Sequence, residues 1–240
     1  MSWFIEWFNS PYYHILYKNR DFNEAEVFIN NLIKYLNIDK NNSVIDIACG
    51  KGRHAVHLNK LGFNVTGIDI SNNSIFEAKK HENNKLKFYV HDIRKVFSPN
   101  NFNLAVNLFT SFGYFNSEKE DQAAINSMAE NLKKDGILVI DFMNVKKTIQ
   151  NLVLYEEKTI ENITFSLRRK YINNFITKDI SFKHLNKEYT FQEKVKAIDL
   201  DNFSKLIKNA GLEIINIFGS YSLKDFNIKK SERLILICRK

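Results

Sequence analysis

A chain of 240 residues can bury a sizeable core as a single α/β domain, and 44% apolar with 13% aromatic residues excludes the disordered class. No apolar run approaches the length of a membrane span, and the first residues lack a charged-then-apolar leader layout. The net charge of +8 admits a nucleic-acid partner, but the basic residues fall in short scattered groups such as Lys79-Lys80 and Arg168-Arg169-Lys170, which argues for a solvated lysine-rich surface.

The first segment is aromatic, with Trp3, Phe4, Trp7, Phe8, Tyr12, Tyr13, His14 and Tyr17. A helix follows from about Glu24, where Phe28, Ile29, Leu32, Ile33 and Leu36 recur at helical spacing. Residues 1–40 are expected to form a helical lid over the mouth of a site. From Val44 a short apolar strand ends in Asp46, then Gly50 and Gly52, and opens a helical pattern. Glycines there allow a tight turn and close approach to a ligand, and a helix start offers N–H donors. A second strand, Asn64–Asp69, ends in an acid, and a third, Leu86–His91, is followed by Asp92. This reads as successive βα units of one parallel sheet. Phe102–Phe109 is a buried fourth strand, Ile125, Met128, Ala129 and Leu132 mark a helix, and Asp135-Gly136 turns into a fifth strand, Ile137–Asp141.

Between 146 and 195 the helical period disappears. Phe165–Ile172 and Phe175–Phe182 flank an Asn173-Asn174 turn, and Tyr189–Val195 forms a third strand. The expectation is an antiparallel β insertion, either a wall over the substrate pocket or a dimer contact. Leu200, Phe203, Leu206, Ile207 and Ala210 then mark a helix stopped at Gly211. Strands Leu212–Phe218 and Glu232–Cys238 follow, joined by a segment too short for a helical crossover, so they should be antiparallel neighbours. The fold class is α/β: a doubly wound, mostly parallel seven-stranded sheet with an antiparallel last strand, spanning 1–240 as one Rossmann-like domain.

Two cofactors suit such a crevice. Gly50-x-Gly52-x-x-Ala55 with Asp69 satisfies the dinucleotide fingerprint literally. Against NAD, Asp46 would face a pyrophosphate and repel it, whereas it suits an ammonium. Asp92 could take the adenine amino group. The reversed final strand also departs from a dinucleotide fold. At this point the chain resembles the class I S-adenosylmethionine-dependent methyltransferases. Their acid-x-x-x-Gly-x-Gly loop matches Asp46, Gly50 and Gly52, their ribose acid matches Asp69, and their adenine-contacting pair matches Asp92-Ile93. The resemblance implies S-adenosyl-L-methionine as cofactor, held by those residues together with Ala48, Ile70, Asn107 and Leu108, and by Tyr17 and Arg20 from the lid.

The same family places residues beside the transferable methyl after the fourth strand, which here singles out Asn107 and Tyr114. An aromatic ring there can also face a sulfonium. His14 and His91 are candidates for a general base; His54 and His57 lie three apart without a third zinc-type ligand, so no metal is expected. Asn107-Leu108-Phe109-Thr110 lacks the proline motif of exocyclic base methylation, and neither Cys49 nor Cys238 follows a proline as cytosine C5 chemistry needs. Two cysteines also fit a reducing cytoplasm. The expectation is a small-molecule N- or O-methyltransferase, with a homodimer as one option for its assembly, and an RNA- or protein-directed methyltransferase, a non-catalytic cofactor-binding module and an NAD oxidoreductase as alternatives.

Overall fold

In β1 (Ser43–Ile47), Val44, Ile45 and Ile47 are all buried, as a strand covered on both faces requires. The structure is a computed structural model that describes residues 3–18 and 22–240. β1 pairs in parallel with β2 (Asn64–Asp69) and with β4 (Phe102–Asn107); β2 pairs with β3 (Leu86–Val90), and β4 with β5 (Leu132–Met143). β11 (Arg233–Arg239) lies antiparallel to both β5 and β10 (Glu213–Phe218). The seven-stranded order is β10-β11-β5-β4-β1-β2-β3. Helices α3 (Phe22–Leu36), α4 (Arg53–Lys60) and α5 (Asn72–Ala78) cover one face through Phe28, Leu32, Leu58 and Ile75. Helices α6 (Glu118–Asn131) and α8 (Leu200–Asn209) cover the other through Ile125, Met128, Phe203 and Ile207.

The elements differ from the sequence reading in several places. β5 starts at Leu132 rather than Ile137, and β4 stops at Asn107 rather than Phe109, because Phe109 and Thr110 turn to φ 58° and 60°. A six-residue helix, α7 (Val145–Gln150), occupies the start of the span expected to lack helix. The insertion holds four strands, not three: β6 (Tyr155–Ile160), β7 (Ile163–Ile172), β8 (Phe175–His184) and β9 (Lys187–Lys196). Its three hairpins each close with two residues at positive φ: Glu161-Asn162, Asn173-Asn174 and Leu185-Asn186. Two successive positive φ values are the hallmark of the type I′ turn that matches strand twist, so the Asn-Asn pair does fix the register.

Two short helices precede α3, namely α1 (Trp3–Asn9) and α2 (Pro11–Leu16); Ser10 caps α2, accepting from the Tyr12 N–H at 3.2 Å. They do not lie on the large sheet alone. Trp7 and Leu16 are buried with Phe165, Ile180 and Phe182 of the four-stranded sheet in a separate apolar cluster. The Trp7 ring lies 4.6 Å from Phe191, and Tyr12 lies 4.6 Å from Phe182.

Candidate active site

The C-terminal ends of β1, β2 and β3 open on a cavity of about 360 Å³, roofed by α1, α2 and the turn after them. That volume falls in the range of small-molecule pockets, about 300–1,000 Å³. Strand ends supply Ala48, Gly50, Asp69, Ile70, Asp92, Ile93 and Leu108 to its lining; the roof supplies Tyr13, His14 and Tyr17, and Tyr114 comes from the loop beyond β4. Three residues expected here line no part of it: Asp46, Gly52 and Asn107. Arg20 lies outside the described residues.

The glycine turn is held by the acid on the neighbouring strand. Asp69 Oδ2 accepts from the Gly50 N–H at 2.8 Å, and Oδ1 accepts from the Ser71 N–H at 2.8 Å. Ser71, not Asp69, caps α5, with its hydroxyl accepting from Ser74 N–H. Burial pushes the Asp69 pKa up, against the pull of the N–H groups of Ser71, Gly50 and Ile70. Each carboxylate oxygen keeps a second lone pair, so vicinal hydroxyls can still be received. Ala48 carries φ 60° ahead of the turn, a conformation that costs an alanine about 1–2 kcal/mol, and such outliers collect at binding sites.

Gly52 serves packing. At φ 82° it begins α4, and a Cβ there would meet the Phe88 ring at 2.6 Å. Asp46 sits behind the turn, 1% exposed, with Oδ2 lacking a hydrogen-bond partner. Burial, aided by the charge of Asp69, raises its pKa to about 7, opposed by the Ala55 N–H and by Arg53. Asp92 is not a lone acid. Arg94 grips it with Nε–H at 3.0 Å and Nη2 at 2.6 Å, and reaches Glu120 of α6 at 2.6 Å. Burial pushes Asp92 up, but the hydrogen bonds and charge of Arg94 outweigh it, so its pKa is lowered overall.

Asn107 is fully buried, and its amide donates to Ile47 O at 2.9 Å while Oδ1 lacks a partner. It ties the ends of β4 and β1 together beneath the cavity floor. The loop above it is strained at Phe109 and Thr110 and is clamped from behind. Asp141 Oδ2 accepts from Phe109 N–H at 2.8 Å, Asp141 O accepts from Thr110 N–H at 2.9 Å, and Arg233 Nε donates to Asp141 Oδ1 at 2.7 Å. The Phe109 ring stacks between His54 at 4.9 Å and Tyr221 at 5.1 Å. Tyr114 donates to Thr110 O at 2.6 Å, and its ring meets Phe8 at 5.3 Å. Asp141, Arg233 and Tyr221 were not found from sequence. An aspartate at the end of the fifth strand was visible there; its partner 92 positions on was not.

On the roof, His14 presents a buried Nε2 that has no hydrogen-bond partner. Burial, then the Lys51 charge, lower its pKa to about 4, with Glu77 opposing, so the ring is neutral at ordinary pH. His91 lies away from the cavity with Nε2 at 2.7 Å from Lys95 O. Among the described residues no group of three His, Cys, Asp or Glu side chains is arranged to hold a metal ion, and no helix is long and apolar enough to cross a membrane.

The adenosyl cofactor that the sequence implies fits this donor set. Two carboxylates line one side, backbone N–H groups follow a tight turn, and aromatic rings with a neutral imidazole face them.

The chain as a whole is similar to known proteins. A family model described as a methyltransferase domain matches residues 38–194. An N,N-dimethyltransferase of dTDP-3-amino-3,4,6-trideoxy-alpha-D-glucopyranose from Streptomyces venezuelae is 26% identical over 132 residues, covering 52% of this chain and 55% of that protein. The chain thus spans about half the length of that relative. The crystal structure of an S-adenosylmethionine-dependent methyltransferase from Clostridium acetobutylicum superimposes with TM-score 0.81 at 19% identity, covering 95% of each chain. CalS10 from Micromonospora echinaspora, an amino pentose methyltransferase solved with S-adenosylmethionine bound, gives TM-score 0.70 at 15% identity over 96% of this chain and 97% of that one.

Proposed function

This chain belongs to the methyltransferase-domain family and is an S-adenosylmethionine-dependent enzyme, and on that premise we propose that its acceptor is the amine nitrogen of a small molecule. The observation that carries this reading is the cavity in which Asp69 and Asp92 face the aromatic roof and the neutral His14. When bound, S-adenosylmethionine supplies an electrophilic methyl group on a sulfonium. Asp69 would receive the ribose hydroxyls, Asp92 and Ile93 would hold the adenine, and the turn at Ala48–Gly50 would hold the methionine end. Tyr13, Tyr17 and Tyr114 wall off water and hold the acceptor at attack distance, which supplies most of the acceleration for an in-line displacement.

His14 Nε2 accepts a hydrogen bond from the acceptor N–H and so aims the nitrogen lone pair. With a pKa of about 4 it orients rather than strips the proton, which leaves to solvent after transfer. An amine attacks in its neutral form and needs no stronger base, which favours nitrogen over a hydroxyl oxygen. The two relatives named for amino-sugar substrates point the same way. Both cysteines are free and buried, which supports placing the enzyme in a reducing compartment such as the cytoplasm.

Calorimetry tests the cofactor first: S-adenosylhomocysteine should bind and NAD should not. Transfer of labelled methyl to a panel of a dTDP-amino sugar, glycine and matched alcohols then reads the acceptor atom. His14→Ala should lower kcat by about 10- to 100-fold while S-adenosylhomocysteine affinity shifts less than about threefold. Failure of S-adenosylhomocysteine to bind, or label arriving only on alcohols, defeats the proposal.

A further inference from the structure

The four-stranded sheet was expected to wall the pocket or to join two copies, yet no residue of β6–β9 lines the cavity. What it does contact is the roof. We propose that this sheet is the dock for the N-terminal lid, and that Glu193 and Lys178 on it are positioning residues that hold Tyr17 over the active site. The proposal rests on the methyltransferase reading of the cavity.

The register places Lys178 of β8 directly opposite Glu193 of β9, with Nζ 2.7 Å from Oε2. The sheet therefore builds this ion pair by itself, whatever the lid does. The lid adds two donors to it. Trp7 Nε1–H donates to Glu193 Oε1 at 2.8 Å, and the Tyr17 hydroxyl donates to the same oxygen at 2.5 Å while accepting from Lys178 Nζ at 2.5 Å. The Lys178 ammonium also lies 5.0 Å from the Tyr17 ring centre. Burial pushes the Glu193 pKa up, but Lys178, Tyr17 and Trp7 outweigh it and hold the carboxylate ionised. Tyr12 adds a peripheral tie, its hydroxyl 3.0 Å from His184 Nδ1.

A buried ion pair is a poor source of stability, because desolvation cancels much of the attraction and apolar residues of similar volume often do as well. What the pair supplies here is a fixed position. Apolar attraction beneath the lid is non-directional, whereas three hydrogen bonds on one carboxylate fix the placement of Tyr17. Tyr17 lines the cavity, and so do Tyr13 and His14 on the same short segment, so their placement follows from the dock. Glu193 and Lys178 do not line this cavity and act on it through the lid, by way of Tyr17 and Trp7.

Trp3 and Trp7, the two tryptophans of the chain, both lie on α1, so emission excited selectively from tryptophan reports the lid. The variants are the double replacement Lys178→Met/Glu193→Met, which removes both charges at similar volume, and Tyr17→Phe, which removes only the shared hydroxyl. Stopped-flow release of S-adenosylhomocysteine should be about tenfold faster in both, with Trp emission shifted to the red in the double variant and circular dichroism unchanged. Lys178→Arg should keep release within about threefold of the parent. Parent-like release and parent-like emission in a folded double variant overturn the proposal. If the double variant does not fold, parent-like release in Tyr17→Phe overturns it instead. If the parent itself does not bind S-adenosylhomocysteine, the functional reading has failed, and the emission of the ligand-free proteins still decides whether the dock exists.

Discussion

Asp46 shows how far a single residue can be read and where reading stops. Its place before the glycines was legible, because an acid ending an apolar strand is rare without a reason. Its burial behind the turn was not, since that depends on how the start of α4, with the Ala55 N–H, and Asp69 of β2 close around it. The consequence is measurable. Burial lifts its pKa to about 7, so over the interval from the unfolded value, about 3.9, to that point the folded state keeps a proton the unfolded state has lost. Stability from this group is therefore full in acid and declines as pH rises through the interval, by up to about 4 kcal/mol. Asp46→Asn should flatten the decline and raise the melting temperature at pH 8 more than at pH 5, as thermal denaturation across that range will show. Asp92 teaches the complementary lesson. Its position at a strand end was legible, but the grip of Arg94 and the link onward to Glu120 required the fold, because Glu120 reaches it only after α6 docks.

At the scale of elements, the buried strands were legible from apolar runs and the long helices from their 3.6-residue period. β6 was not, because Tyr155-Glu156-Glu157-Lys158-Thr159 leaves nearly every side chain in water and presents no alternating face. α7 is too short, at six residues, to show a period at all. The hairpins offer a direct check on what local sequence controls. Asn173 and Asn174 hold φ 49° and 61°, and a glycine at the second position of such a turn removes the Cβ penalty. Asn174→Gly should therefore stabilise the insertion by up to about 1 kcal/mol, visible as slower amide exchange along β7 and β8 and with cofactor binding unchanged. Faster exchange would mean that the Asn174 side chain, which accepts from the Tyr171 hydroxyl at 3.3 Å, matters more than the backbone.

For the whole molecule, the mostly parallel seven-stranded sheet and its antiparallel end were legible from the alternation of elements and the short final connection, whereas the strand order came only with the fold. The role of the insertion was not, because an apolar strand face gives no hint whether it will meet a pocket, a second copy or the chain's own first helices. The centre of β11 is buried on both faces, with Ile235 packed on one side and Leu236 on the other. Leu236→Asp should abolish cooperative unfolding and expose both flanking strands, which urea titration followed by limited proteolysis will detect. The position of that strand also bears on how the protein is made. During synthesis β5 and β10 both leave the ribosome before β11, which must then slot between them. Until it does, the nascent chain carries unpaired edges on both β5 and β10, so for that interval it is exposed to aggregation.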